Sequence, residues 1–289
     1  MSVKHKERKK ERLDKLIVDR NIIHTRERAR AYILGGNITV NGEKVLKPAA
    51  LVDNNSDIRV CLPNKGYVSR GGIKLEGALE DLKIDVRDSY CLDIGASTGG
   101  FTDCLLKRGA KKVVAVDVGK NQIDYGLRSD PRIIIIEGFN ARYIDRLKLE
   151  RPPDIVTIDV SFISIRLILK PLGFVIDKKT KVITLIKPQF ELEKSHKGFR
   201  GVIKERELHL DILNDLNAFF FIAGYSVDGY TFSKIKGPKG NIEYFACLRK
   251  ARNREIKVPS TTCTVIEELV VSSHNYFSKD KRTKQRNKS

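Results

Sequence analysis

From Tyr90 onward, short apolar runs alternate with stretches of helical periodicity. The runs cover residues 91–94, 113–118, 133–136, 155–158 and 182–186. This alternation is typical of a mainly parallel sheet with helices on both faces. A helical stretch at 207–224 then leads into two runs, 225–232 and 244–248, with no helix between them, so we expect these two strands to pair antiparallel. The predicted fold class is α/β.

A glycine-rich turn follows the first run. It contains, in order, Asp93, Gly95, Ala96, Ser97, Thr98, Gly99, Gly100 and Phe101. Glycines let the backbone turn sharply here and approach a ligand at the start of a helix. The spacing is not the Gly-x-Gly-x-x-Gly of dinucleotide-binding folds, and the absence of a following Gly-Lys-Ser/Thr excludes a P-loop. Asp117 lies at the end of the second predicted strand, where its carboxylate can accept hydrogen bonds from both hydroxyls of a ribose.

This combination of loop and acid resembles the S-adenosylmethionine site of Rossmann-like methyltransferases. The resemblance implies that the loop, Asp117, Val118 and Asp159 bind the cofactor. It also implies that Asn140, which follows the third strand, lies beside the adenine. An acidic residue is common at that position in related enzymes. Asn140 can still hydrogen-bond an amino group, and its assignment stays open.

Four ionisable residues that are far apart in the chain are expected at one edge of this sheet. Asp159 and Lys187 directly follow two parallel strands, and ligands bind beyond the carboxyl ends of such strands. Glu243 precedes the last strand, whose start lies at the same edge if that strand is antiparallel. Lys74 lies in a helical stretch at 72–82 and can reach over the same edge.

This set suits methylation of a hydroxyl group. A ribose hydroxyl has a pKa well above neutral, so its attack on a sulfonium methyl needs a base or a cation near the forming alkoxide. A lysine is a base only when neutral, and burial or a second cation must lower its pKa from about 10.4. We predict that Lys187 is the base, that Lys74 lowers its pKa and contacts RNA, and that Asp159 and Glu243 orient the lysines and the methyl donor. The reverse assignment of the lysines stays open, because coupled groups titrate as a unit.

The segment before residue 62 has a different pattern, with two short helices followed by strands. Its matching residues are Arg12-Leu13-Asp14, Thr25-Arg26, Ala29-Arg30, Gly36, Val40-Asn41-Gly42 and Lys47-Pro48. Their order resembles that of the S4 RNA-binding domain. The resemblance implies docking on structured RNA, with Arg26 and Arg30 as phosphate contacts. Arg12, Lys47 and Arg70 complete the predicted RNA-binding set.

The charge balance also points to a polyanionic partner. The chain has 55 Lys and Arg against 36 Asp and Glu, a formal net charge of +19, and its pI is about 9.7. Values this high are typical of nucleic-acid-binding proteins. The basic, polar tail at 279–289 is expected to be disordered and to add nonspecific RNA affinity.

Compartment and metal content are constrained by what the sequence lacks. The longest apolar stretch, residues 218–224, is far shorter than the roughly 20 residues that cross a bilayer, and the charged start lacks the apolar core of a secretory signal. We expect a cytoplasmic protein with no membrane partner. The 5 cysteines include no Cys-x-x-Cys pair and the 5 histidines have no metal-ligand spacing, so neither a disulfide framework nor a metal site is expected.

The Lys, Asp, Lys, Glu set resembles that of FtsJ-type ribose 2′-O-methyltransferases, and the run of motifs is closer still to the TlyA family. The matching stretches are residues 67–75, 93–101, 159–164, 187–191 and 237–245. The resemblance implies an S4 domain at 1–62 with a basic N-terminal arm, a linker at 63–66, a methyltransferase domain at 67–250 and an extension at 251–289. It also implies methylation of cytidine 2′-hydroxyls in ribosomal RNA, with S-adenosylmethionine as cofactor and ribosomal subunits as partners.

Two other interpretations stay open. TlyA-like proteins are often labelled haemolysins, which would make this a membrane-active protein. The chain could also be a non-catalytic RNA-binding assembly factor that keeps the methyl-donor site. Two related enzyme classes are disfavoured. A pseudouridine synthase needs a catalytic Asp in a separate domain, whereas the Arg-Leu-Asp here belongs to the S4 segment. A base N-methyltransferase would show Asn or Asp followed by Pro-Pro and an aromatic where this chain has Asp159-Val160-Ser161-Phe162.

Overall fold

The computed structural model describes residues 10–23, 25–60, 66–192, 201–251 and 261–286. The predicted basic arm before Lys10, most of the predicted linker and the last three residues of the predicted tail lie outside the described residues.

The N-terminal module consists of two helices and two small sheets. Its elements are β1 (Lys10–Arg12), α1 (Leu13–Asp19), α2 (Arg26–Leu34), β2 (Ile38–Val40), β3 (Glu43–Lys44), β4 (Leu51–Asp53) and β5 (Ile58–Val60). Strand β1 pairs antiparallel with β4, and β2 lies between β3 and β5. Thr25 begins α2 by accepting a hydrogen bond from the backbone N–H of Arg28 at 3.3 Å. Leu13, Ile17 and Ile33 are fully buried, so a small apolar core holds the module together.

The larger domain is built on a seven-stranded sheet. Its strands are β6 (Tyr90–Ile94), β7 (Lys112–Asp117), β8 (Ile133–Glu137), β9 (Ile155–Ile158), β10 (Lys181–Ile186), β11 (Tyr225–Phe232) and β12 (Tyr244–Lys250), in the spatial order β11-β12-β10-β9-β6-β7-β8. Strand β12 runs antiparallel to β10 and β11, and the other neighbours are parallel. The predicted α/β class and its antiparallel end are confirmed. Because β6 has β7 on one side and β9 on the other, the strand order reverses there, and ligands bind at such a point.

Helices cover both faces of this sheet. One face packs on α3 (Arg70–Asp81) and α4 (Gly100–Lys107), and the other on α6 (Arg166–Leu172), α8 (Arg206–Ile222) and α9 (Thr261–Arg286). Shorter segments at the strand ends are α5 (Tyr125–Arg128), a 3₁₀ turn (Ala141–Arg146) and α7 (Pro188–Glu191). Successive strand residues alternate between the two apolar layers: Cys91 belongs to one and Leu92 to the other. Within the described ranges, no helix is both long and apolar enough to cross a bilayer.

The C-terminal helix extends into the tail for which the sequence predicts disorder. The backbone is helical as far as Arg286. The helix packs on α8 and β11, and Ile266, Val270 and Phe277 are buried in the core of the large domain. Burial of these widely spaced apolar residues stabilises a helix whose end is polar.

Replacing Ile266 by Ala should therefore destabilise the domain. Ile266 is fully buried, so the substitution leaves a cavity and should lower the free energy of unfolding by about 3 kcal/mol. Urea denaturation followed by circular dichroism measures the change. Val265→Ala, on the exposed side of the same turn, is the control and should have little effect. Equal effects of the two substitutions would show that α9 does not pack as described.

Candidate active site

A cleft of about 740 Å³ lies between the N-terminal module and the carboxyl ends of the parallel strands. Its volume falls in the range of roughly 300–1,000 Å³ that is usual for small-molecule sites. The glycine-rich loop after β6 forms one wall, and α2 of the N-terminal module forms part of the opposite side. The cleft therefore opens at the point where the strand order reverses.

The loop has the backbone conformation that its glycines predict. Gly95 has a φ of +86° and Gly99 a φ of +91°, both in the left-handed region. A Cβ on Gly95 would lie 2.5 Å from the backbone oxygen of Asp159, so only glycine fits between β6 and β9. Gly95, Ala96, Ser97, Thr98, Gly100 and Phe101 line the cleft.

Asp93 lies behind this loop and does not line the cleft, and its cofactor role stays a prediction. Its carboxylate is fully buried and accepts hydrogen bonds from the hydroxyls of Thr102 at 2.7 Å and Thr157 at 2.8 Å. Burial raises the pKa of Asp93 to about 6, although the two hydroxyls favour the ionised form. Asp93 thus joins β6, α4 and β9 beneath the loop.

Asp117 at the end of β7, Val118 directly after it and Asn140 after β8 lie at the same edge of the sheet but do not line the cleft. Asp117 accepts backbone hydrogen bonds from Ser97 at 2.8 Å and from Gly119 at 2.7 Å, one on each carboxylate oxygen. Asn140 uses its side-chain oxygen to cap the 3₁₀ turn. Val118 is 70% exposed. The cofactor roles of Asp117, Val118 and Asn140 stay predictions.

The four predicted catalytic side chains converge in the cleft as two ion pairs. Lys74 Nζ lies 2.5 Å from Glu243 Oε2, and Lys187 Nζ lies 2.5 Å from Asp159 Oδ1. Lys187 also donates a hydrogen bond to the hydroxyl of Ser161 at 2.8 Å. All four line the cleft, and Lys74, Lys187 and Glu243 are buried. The topology explains the convergence: β9 and β10 end, and antiparallel β12 begins, at one edge.

The two pairs interact through Asp159. Burial lowers the pKa of Lys74, but attraction to Glu243 and then to Asp159 outweighs it, so the pKa of Lys74 is raised. Burial raises the pKa of Asp159, but attraction to Lys187 and Lys74 outweighs it, so that pKa is lowered. Lys74 is therefore held as a cation and Asp159 as an anion.

The charged and polar groups of the cleft fit S-adenosylmethionine, which carries a sulfonium, an ammonium, a carboxylate and an adenosine. Asp159 places a negative charge in the cleft beside the glycine-rich turn. Glu243 Oε1 is buried and makes no hydrogen bond with any described residue, so an acceptor is left over. Where described, the chain shows no group of three or more His, Cys, Asp or Glu that could hold a metal ion.

The predicted RNA-binding residues fall into two groups. Arg30 and Arg70 both line the cleft, and Arg70 donates a hydrogen bond to the backbone of Lys236 at 3.0 Å. Arg12 and Arg26 instead pair with buried Asp14, at 2.8 Å and 3.2 Å, and about half of each side chain stays exposed. Lys47 is exposed on the module and does not line the cleft.

Several site residues were missed by sequence reasoning. Ser161 binds Lys187, and Phe162, 82% exposed with a φ of +64°, lines the mouth of the cleft. Glu191 accepts hydrogen bonds from the Ser164 hydroxyl at 2.6 Å and the Ile165 backbone at 2.9 Å, which fixes the loop after β9. These residues lie within the motif stretches at 159–164 and 187–191, so their position in the motifs was an available signal.

Fold and site together define an α/β methyltransferase that carries a small RNA-binding domain. Family comparison agrees: residues 67–250 match the FtsJ-like methyltransferase model and residues 11–58 match the S4 domain model. The chain belongs to the FtsJ-like methyltransferase family, and its methyl donor is S-adenosylmethionine.

Named relatives span most of the chain. Hemolysin A of Brachyspira hyodysenteriae is 44% identical over 81% of this chain and 98% of its own length. The 16S/23S rRNA (cytidine-2'-O)-methyltransferase TlyA of Mycobacterium tuberculosis is 37% identical over 85% of this chain and 92% of its own length. A solved structure from Streptococcus thermophilus, described as a hemolysin, is 40% identical with a TM-score of 0.72, over 95% of this chain and 99% of that one.

The clash at Gly95 predicts that Gly95→Ala weakens cofactor binding. The added Cβ must displace the backbone of Asp159, so S-adenosylmethionine should bind at least about tenfold more weakly, equivalent to about 1.4 kcal/mol. Isothermal titration calorimetry measures this affinity. Gly224→Ala is the control, since Gly224 has a similar φ of +82° and an added Cβ there would meet nothing within 4 Å. Unchanged affinity in Gly95→Ala would refute this account of the loop.

The buried carboxyl of Asp93 predicts a specific pH dependence of stability. Its pKa in the folded state is about 6 against 3.8 when unfolded, so the folded state binds the proton more tightly. Folding is therefore favoured by this group below pH 3.8, and that contribution is lost as the pH rises through 6. Asp93→Asn removes the effect.

Urea denaturation of wild type and Asp93→Asn across a pH range of about 4 to 7 tests this prediction. The free energy of unfolding of the variant should rise relative to wild type by about 2–3 kcal/mol over this range, because about two pKa units correspond to roughly that amount. Taking the difference between the proteins cancels the titration of other groups. A difference that is constant with pH would contradict the assignment.

Proposed function

We propose that this protein transfers a methyl group from S-adenosylmethionine to a cytidine ribose 2′-hydroxyl of ribosomal RNA. The observation that carries the proposal is that the Lys74–Glu243 and Lys187–Asp159 ion pairs lie in the same cleft as the glycine-rich loop. A hydroxyl nucleophile needs such a base and cation, whereas an aromatic amine does not. The relative from Mycobacterium tuberculosis, named for cytidine-2'-O methylation of 16S/23S rRNA, supports the choice of substrate.

The chemistry is a direct displacement. Bound S-adenosylmethionine supplies an electrophilic methyl group on a sulfonium. The ribose 2′-oxygen forms a bond to the methyl carbon, the carbon–sulfur bond breaks, and the hydroxyl proton passes to the Nζ of Lys187, which acts as the base in its deprotonated form. Lys74 stays protonated and stabilises the negative charge that develops on the 2′-oxygen.

The carboxylates hold the lysines for these roles. Glu243 keeps Lys74 cationic and fixed in the cleft. Asp159, with Ser161, positions the Nζ of Lys187.

RNA recognition is assigned to the S4 domain and the mouth of the cleft. Arg30 and Arg70, from the two domains, can neutralise phosphates near the target nucleotide. Phe162 exposes its ring at the mouth, where a base drawn out of the RNA can stack. We further propose that the protein acts in the cytoplasm and that the acceptor is an isolated ribosomal subunit.

Transfer of labelled methyl to isolated small and large ribosomal subunits tests the proposal. Wild-type protein should incorporate label into at least one subunit, and alkaline hydrolysis should leave it in a resistant dinucleotide, since 2′-O-methylation blocks cleavage. Lys187→Ala should slow transfer by about 10²- to 10⁴-fold, the usual contribution of a general base. Lys181→Ala, at the opposite end of the same strand, should transfer at the wild-type rate.

Two outcomes would contradict the proposal. Label that is released by alkali as mononucleotides would show methylation of a base instead of the ribose. No incorporation into either subunit, with cofactor binding intact, would favour the non-catalytic assembly factor.

A further inference from the structure

The S4 domain contacts the methyltransferase domain through a partly buried ion pair close to the cofactor loop. Arg28 of α2 places its Nη2 2.8 Å from Asp124 Oδ2, and the two side chains are only 14% and 23% exposed. Tyr32, one turn later on α2, donates a hydrogen bond to the same oxygen at 3.4 Å. Two side chains of one module thus converge on one carboxylate of the other.

Asp124 is also connected to the loop that binds the methyl donor. Its backbone N–H donates to the carbonyl oxygen of Thr98 at 3.2 Å, and Thr98 lines the cleft. Its other carboxylate oxygen caps α5 by accepting from the N–H of Gly126 at 2.9 Å. In α5, Leu127 packs on Gly99 so tightly that a Cβ there would lie 2.4 Å from the Leu127 side chain. Asp124 therefore contacts Thr98 directly and Gly99 indirectly, through Leu127 of the helix that it caps.

Helix α2 also lines the same cleft, at the place where the proposed function puts the RNA. One turn of the helix carries Arg28, which holds Asp124, and Arg30, which lines the cleft. A movement of α2 on binding RNA would be transmitted along the path from Arg28 through Asp124 to Thr98.

We propose that Arg28 and Tyr32 are positioning residues that couple the position of the S4 domain against the methyltransferase domain to the conformation of the methyl-donor loop. RNA held by the S4 domain then strengthens binding of S-adenosylmethionine, and the cofactor strengthens binding of RNA by the same factor, as linkage requires. The RNA half of this coupling rests on the proposed function, whereas the effect of the ion pair on the loop does not.

Cofactor affinity of full-length variants, measured by calorimetry without RNA, tests the first half. Arg28→Ala and Asp124→Asn should each weaken S-adenosylmethionine binding about fivefold, the lower end of usual coupling between sites. The amide oxygen of Asn can keep the cap on α5, while its NH2 replaces the oxygen that accepts from Arg28 and Tyr32, so Asp124→Asn removes the charge and these two hydrogen bonds. The double variant should bind no more weakly than either single variant, because both remove one interaction. Arg59→Ala, whose partner Asp57 lies within the S4 domain, is the matched control and should bind as wild type does.

A second titration adds purified ribosomal RNA. Wild-type protein should then bind S-adenosylmethionine about fivefold more tightly, and Arg28→Ala should show no gain. Cofactor affinity in Arg28→Ala and Asp124→Asn equal to that of Arg59→Ala would overturn the proposal, as would additive losses in the double variant. These affinities are measured without methyl transfer, so a failed transfer assay would not decide them.

Discussion

The site depends on the placement of two lysines and two carboxylates in a region largely removed from water. Each charge would be costly to bury alone, and removing one partner of such a buried pair commonly costs about 3–5 kcal/mol. The pairing of Lys74 with Glu243 and of Lys187 with Asp159 offsets the free-energy cost of removing these charges from water. Because Asp159 interacts with both lysines, the two pairs form one electrostatic unit. The strand order makes the cluster possible, because parallel β9 and β10 end where antiparallel β12 begins.

The surrounding structure keeps this unit beside the donor loop. Asp93 ties β6 to α4 and β9 beneath the loop, and Glu191 fixes the segment that follows Asp159. Asn241 does the same for the segment before Glu243, since its side chain accepts from the backbone of Ile203 at 2.9 Å and donates to that of Gly201 at 2.8 Å. The four side chains proposed to be catalytic thus lie on backbone that is fixed by buried and partly buried hydrogen bonds, which favours a preorganised site.

Much of this arrangement could be predicted from sequence. The short apolar runs that alternate with helical stretches predicted all seven strands of the large sheet, and the rule that strand ends meet at one edge predicted the convergence of Asp159, Lys187 and Glu243. What escaped prediction depends on tertiary packing. Whether Asp93 faces the ligand or the core is decided by Thr102 and Thr157 behind the loop, and the contact between Arg28 and Asp124 joins residues 96 positions apart. Helix α9 was not predicted, because its apolar residues are widely spaced and only the folded domain shows that Ile266 and Val270 pack in the core.

The most direct test of the lysine pair is the pH dependence of single-turnover methyl transfer to ribosomal subunits in wild type and Lys74→Gln. If Lys74 is the permanent cation that helps its neighbour release a proton, the rate should rise with pH in both proteins. The midpoint of that rise should lie at higher pH in the variant, where the neighbouring positive charge is gone. A midpoint that is unchanged, or that moves to lower pH, would contradict the division of roles between Lys74 and Lys187.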